Sequence, residues 1–278
     1  MAYDPTAPYQ APPPSPRRRL PRWVAPVAVG WAAVLLVLAY VSAGTSEPTV
    51  REQSPVDAAR KNVSAAVANL VRAGGTAVAT VSEFTRVGDC SISAVRDGST
   101  WNQTVLFYTA DGVEPALLDR IATGLPAAYE ARTRHSDGGS LHTLRADAGD
   151  FVGITGSVIG PGQVRLVVAT GCRPGTVPPD AAESTPQPPV DGVFTALGLT
   201  GRSWRTHEVP CPSGGALRVV TAQSAPGVAP TLPSGLSTVG AAAVTARPEL
   251  FAYRTGPTSV VAKLREGVLT VTSTMDCP

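Results

Sequence analysis

Three hydrophobic periods succeed one another along the chain. From Trp23 to Ala43, WVAPVAVGWAAVLLVLAYVSA, 21 consecutive residues carry no charge, and at 1.5 Å per helical residue such a run spans roughly 30 Å. From Val56 to Ala73, VDAARKNVSAAVANLVRA sets Ala59, Val63, Val67 and Leu70 three and four residues apart, which predicts an amphipathic helix. Further on the period falls to two. TAVATVSEF, CSISAV, TVLFYTA, AYEARTRH, SLHTLRA and QVRLVVATG predict strands, broken by a second helix, EPALLDRIATGL, with Leu117, Leu118, Ile121 and Leu125 on one face. The last ninety or so residues predict the strands SWRTHEV, ALRVVTA, ELFAYRT, SVVAKLRE and VLTVTST. Their helices are shortened, since TLPSGLSTVG is interrupted by proline and glycine.

The chain also repeats itself. GQVRLVVATGC, Gly162 to Cys172, and GVLTVTSTMDC, Gly267 to Cys277, each place a glycine ten residues before a cysteine, so that Leu166 matches Val271 and Val168 matches Ser273. Upstream, TVLFYTADGVEP from Thr104 matches ALRVVTAQSAPGVAP from Ala216, Thr-Ala on Thr-Ala; Cys90 precedes the first and Cys211 the second. PVDAA at Pro55 and PVDGV at Pro189 open the two stretches. The collinearity of these matches predicts an α+β fold of two tandem related modules, 55–174 and 188–278, each mainly antiparallel strands with one or two helices. The proline-rich segment 175–187 links them.

Charge orients the apolar run. Arg17, Arg18, Arg19 and Arg22 precede it and only Asp4 opposes them, so of a formal net charge of +2 this end supplies +3 and leaves about −1 for everything after residue 43. By the positive-inside rule 23–43 is a single transmembrane helix with residues 1–22, a proline-rich tail, in the cytoplasm. Residues 44–54 are then a juxtamembrane linker and the two modules are extracytoplasmic. The competing reading is a cleaved signal peptide ending at Val41-Ser42-Ala43, with the arginines as its charged region, but an apolar core of 7–15 residues is usual there. A lipoprotein is disfavoured because the first cysteine is Cys90. The tail could be a polyproline ligand that signals inward, though a solvated leader is the simpler account. A net charge near −1 gives no reason to bind nucleic acid. With lysine only at Lys61 and Lys263, the bias to Arg, Ala, Val, Gly and Pro points to a GC-rich genome of the actinobacterial kind.

Outside the cytoplasm an even set of cysteines argues for disulfides. Four cysteines allow three connectivities, and the repeat selects Cys90 with Cys172 and Cys211 with Cys277, one bridge per module.

Catalytic motifs are missing. The three histidines, His135, His142 and His207, stand outside any G-x-S-x-G or H-E-x-x-H pattern, and SVVAK, Ser259 to Lys263, has the wrong spacing for a penicillin-binding serine. His135 and His142 lie seven apart with only Asp137 and Asp147 nearby, which does not make a metal set; the pair reads as exposed strand or turn residues. Asp147 and Asp150 in RADAGDF could be a hydrolase pair but more often make a turn. Trp101, Trp204, Tyr108 and Tyr253 could line a glycan or peptide groove, and are more simply core. No cofactor-binding, catalytic or metal residue is assigned. The expectation is a non-enzymatic, membrane-anchored envelope protein that binds or scaffolds an envelope protein or glycan. The alternative is a cell-envelope hydrolase or transferase with a site between the modules, which would need a cleft uniting His142 or His207 with a carboxylate and a serine.

Overall fold

A computed structural model of the chain describes residues 23–45, 54–93, 95–136, 141–178, 187–200, 202–227, 232–236 and 242–278. The expected cytoplasmic tail, most of the 44–54 linker and residues 179–186 of the 175–187 linker lie outside these. The chain divides into two units, Met1–Thr49 and Val50–Pro278. In the first, α1 occupies Val24–Thr45, without acidic or basic residues in its end turns. Among the described residues, no helix is long and apolar enough to cross a membrane, so the structure does not supply the span expected over 23–43.

The second unit is α+β, with two antiparallel sheets, few helices and two disulfides. Its first half contains α2 (Val56–Gly74), β1 (Val78–Val81), β2 (Thr85–Ser93), β3 (Arg96–Tyr108), α3 (Glu114–Gly124), β4 (Arg132–His135), β5 (His142–Asp147), β6 (Gly153–Gly160) and β7 (Gln163–Arg173). The second half contains α4 (Pro188–Ala196), β8 (Arg202–Pro210), β9 (Ala216–Ser224), α5 (Leu232–Leu236), β10 (Ala243–Arg247), β11 (Leu250–Thr255), β12 (Thr258–Arg265) and β13 (Val268–Met275). On one edge of β3, β1 covers the end near Tyr108 and β2 the end near Arg96. The first sheet therefore runs β1/β2-β3-β7-β6-β5-β4 and the second β8-β9-β13-β12-β11-β10. Strand by strand the two orders are the same.

The ladders refine the repeat. Leu166 lies between Val105 of β3 and Gly156 of β6, and Val271 between Ala222 of β9 and Ala262 of β12. Val105 thus corresponds to Ala222, whereas aligning Thr109-Ala110 with Thr221-Ala222 would have paired it with Leu217; the dipeptide match slips by five positions. Following β3 and β9 back from this pair, Ser99 corresponds to Ala216, and their edge partners Asp89 and Pro210 each immediately precede a cysteine. Cys90 and Cys211 are equivalent in space, and disulfides join Cys90 to Cys172 and Cys211 to Cys277.

Helices cover one face of each sheet. Ala59, Val63, Val67 and Leu70 of α2, with Leu117, Leu118 and Ile121 of α3, are buried against Val105, Phe107, Leu144, Ile154 and Leu166. Val190, Val193 and Phe194 of α4 and Leu232 and Leu236 of α5 pack on Val220, Tyr253, Val260 and Val271. The other face of the second sheet lies across the first. Val209, Leu217 and Val219 join the α2 core, while Leu250, Ala252 and Val261 pack on Val78 and Tyr108. Polar contacts fix this seam: Ala79 N–H on the outer edge of β1 donates to Ser259 Oγ (3.0 Å), and Arg254 Nη1 donates to Ala77 O (3.2 Å). A strand edge that would invite foreign pairing is thereby closed.

At the far end of the seam Arg247 Nη2 donates to Asp111 Oδ1 (2.7 Å) and to Pro161 O (3.1 Å). The Pro161-Gly162 turn beside it requires glycine twice over. Gly162 has φ +65°, and a Cβ there would stand 2.6 Å from Thr109 O.

Candidate functional site

Where the first sheet stops covering the second, a groove of about 600 Å³ remains. Strand alternation decides its lining. On β8, Ser203, Arg205 and His207 point the same way, and their neighbours on β9 and β13 are Thr221, Gln223 and Thr272. The opposite wall comes from β1, the segment after it, the start of β2, and β3: Thr80, Ser82, Glu83, Thr85, Thr104 and Leu106. Hydroxyl and amide groups dominate, and Thr221 Oγ1 and Thr272 Oγ1 are hydrogen-bonded at 3.1 Å. Glu83, the one carboxylate lining the groove among the described residues, stands 3.9 Å from Arg205 Nη1. Among the described residues β8 pairs on one side only, with β9, so its other backbone edge has no strand partner.

The groove brings together the residue types that a hydrolase would need, a histidine, a carboxylate and serines, but not in working geometry. Ser82 Oγ donates to Glu83 O (2.9 Å) and accepts from Thr104 N–H (2.9 Å), so its hydroxyl is committed to the turn. Ser203 and His207 are four residues apart on one strand, about 13 Å at 3.3 Å per residue, well beyond nucleophile-to-base distance. A single carboxylate cannot form the acid and base pair of a glycosidase.

Other residues singled out in the sequence fall elsewhere. Trp101 is buried and stacks on Phe84 with centroids 5.3 Å apart. Tyr108 and Tyr253 are buried in the seam and in the second core, and Trp204 packs on that core. None of the four lines the groove. Desolvation raises both tyrosine hydroxyls above their usual range. Ser259 is buried and engaged with Ala79, and Lys263 Nζ lies 5.2 Å over the Tyr108 ring; burial foremost, then Arg265, lowers its ammonium. Asp147 Oδ1 accepts from Gly149 N–H (2.8 Å), closing a turn. In that turn Asp150 and Phe151 both take positive φ. Arg173, fully buried, holds it: Nε donates to Thr170 O (2.8 Å), the guanidinium bonds Ser54 Oγ and Asp150 O, and Nη1 lies 3.7 Å from Asp150 Oδ2. These aspartates are structural.

His135 and His142 are directly opposite each other on β4 and β5. Their Nδ1 atoms are 2.6 Å apart, and His135 Nε2 lies 3.0 Å from Asp119 Oδ1 on α3. The sequence pointed to Asp137 and Asp147 as neighbours, Asp137 being outside the described residues; the carboxylate present comes from a helix and carried no local signal. Thr133 Oγ1 also donates to Asp119 Oδ1 (2.7 Å). That bond, with the contact to His135, lowers the Asp119 carboxyl against the opposing effect of burial.

No protein-family model and no curated protein matches the chain. Among solved structures it is similar to MucB in complex with MucA(peri), with 14% identity and a TM-score of 0.19 over 78% of this chain and 93% of that one. It is also similar to the di-domain ARO/CYC StfQ from the steffimycin biosynthetic pathway, with 10% identity and a TM-score of 0.16 over 79% and 81%.

Proposed function

We propose that the protein is a non-catalytic, extracytoplasmic binding module built from two duplicated α+β units, and that its intersheet groove takes an extended polar segment of another envelope protein as a strand beside β8. The observation that carries this reading is the groove itself: about 600 Å³, lined largely by hydroxyl and amide side chains, with Ser203, Arg205 and His207 supplied by β8, which among the described residues has a strand partner on one side only. Main-chain hydrogen bonds along such an edge supply affinity, and the alternating side chains supply selectivity. A glycan is the weaker candidate, because among the described residues no Trp, Tyr or Phe lines the groove for a sugar to stack on. Location outside the cytoplasm is supported by the two disulfides and by the four arginines preceding an uncharged run, which favour a membrane tether with a cytoplasmic N-terminus. The alternative, a hydrolase or transferase, draws on His207, Glu83, Ser82 and Ser203 sharing one groove; loss of a measurable bond-cleaving activity in His207→Ala would establish it.

Photo-cross-linking tests the binding reading. With a benzophenone side chain at position 203 of the full chain, a discrete protein adduct should form in cells and disappear when Thr221→Arg fills the groove. An adduct to carbohydrate, or a protein adduct indifferent to Thr221→Arg, would overturn it.

A further inference from the structure

Away from the groove, the geometry points to a transition-metal site: we infer that His135 and His142, with Asp119 orienting His135, bind a divalent ion of the zinc or copper class. Both imidazoles project from paired strands rather than from a loop, and their Nδ1 atoms converge to 2.6 Å with the rings tilted by 57°. Asp119 fixes the proton arrangement. Its Oδ1 accepts from Thr133 Oγ1 (2.7 Å) and lies 3.0 Å from His135 Nε2, which assigns the His135 proton to Nε2 and turns the lone pair on Nδ1 towards His142. This is the carboxylate–histidine–metal relation in which an outer carboxylate sets the tautomer and raises the basicity of the ligating nitrogen.

Two bonds of about 2.0–2.1 Å at a tetrahedral angle place ligating nitrogens about 3.3 Å apart, so the rings must separate by about 0.7 Å. His135 is partly exposed, which leaves room for that adjustment. His142 must carry its proton on Nε2 when bound. Binding is then balanced as two neutral imidazoles and one hydrated cation giving a bis-imidazole complex with two waters displaced. Among the described residues no three His, Cys, Asp or Glu side chains gather around one point, so water completes the shell and the site is open. Imidazole donors select Zn²⁺, Cu²⁺ and Ni²⁺ over Mg²⁺ and Ca²⁺.

The chain makes the test clean, because all four cysteines are in disulfides and His207 is the only other histidine. Calorimetric titration of the full chain with zinc chloride should give one saturable site. His135→Gln and His142→Gln should each abolish it, Asp119→Asn should weaken it 10–100-fold, and His207→Gln should leave it unchanged. With Cu²⁺, the electron paramagnetic resonance spectrum should show hyperfine coupling to two nitrogens. Absence of saturable binding, retention of the site in either His135→Gln or His142→Gln, or an undiminished affinity in Asp119→Asn would overturn the inference.

Discussion

Replacing Cys211 and Cys277 together by serine releases the segment after β13 from the turn between β8 and β9, and the consequence can be worked from chain length. The bridge closes a separation of 66 residues, for which loop-closure entropy gives about 4.3 kcal/mol at 25 °C; the 82 residues between Cys90 and Cys172 give about 4.5 kcal/mol. The logarithm makes the two bridges nearly equal despite their different loops. The folded state keeps independent ties at the same place: Asp276 N–H donates to Pro257 O (3.1 Å) and the Asp276 carboxylate pairs with Arg254. The loss should therefore come chiefly from a less constrained unfolded chain. In a domain of this size it corresponds to a fall in Tm of about 9–17 °C. Urea and thermal unfolding of the two double-serine variants, followed by far-ultraviolet circular dichroism, would measure both. A loss below about 1 kcal/mol for either pair, or losses differing by more than about 2 kcal/mol, would refute the entropic reasoning.

Two further perturbations probe buried charge. Arg173→Met keeps the side-chain volume but strips the 149–151 turn of its guanidinium; since Asp150 is partly exposed, the cost should fall near the lower end for a broken buried pair, about 3 kcal/mol, read from urea unfolding. Loss of under about 0.5 kcal/mol would show that the turn holds itself. Glu114, buried at the start of α3, would be raised by desolvation, yet backbone N–H groups of Glu114, Gly162 and Gly112, with Arg247, outweigh that and hold its carboxyl low. Its stabilisation is complete at neutral pH and is lost as pH falls through the lowered folded value. Glu114→Gln should cost about 2 kcal/mol at pH 7, as bonds to a charged acceptor do. The deficit should shrink on acidification below the ordinary carboxylate range, and a pH-independent difference would contradict it.

Much of the fold was legible because period and burial coincide. Ala59, Val63, Val67 and Leu70 are all buried, and strands such as Ala216–Ser224 and Val268–Met275 alternate as their sequences do. What escaped has physical reasons. GITGSVIG carries a weak strand signal because Gly153, Gly156 and Gly160 lower strand propensity; Gly156 lies where Leu144 and Leu166 approach closely, and a Cβ there would sit a tight 3.2 Å from each. AYEARTRH predicts one strand, but Ala127–Tyr129 form a 3₁₀ turn and β4 begins at Arg132. PVDGV opens α4, short and proline-led, where only the start of a module was recognised. The groove was invisible because its walls are brought together by packing between sheets, joining Glu83 to Arg205 across more than a hundred residues. Asp119 carries no local signal because it reaches His135 from α3, a helix packed beside β4 and β5.

Amide hydrogen exchange tests strand addition at the β8 edge most directly. With the segment captured from position 203 supplied as a synthetic peptide to the full chain, exchange should slow at alternate, outward-facing amides within Arg202–Pro210 and remain unchanged at β10, the opposite edge of the same sheet. Unchanged exchange along β8 with the peptide bound, or equal protection at β10, would contradict strand addition as the way the groove is filled.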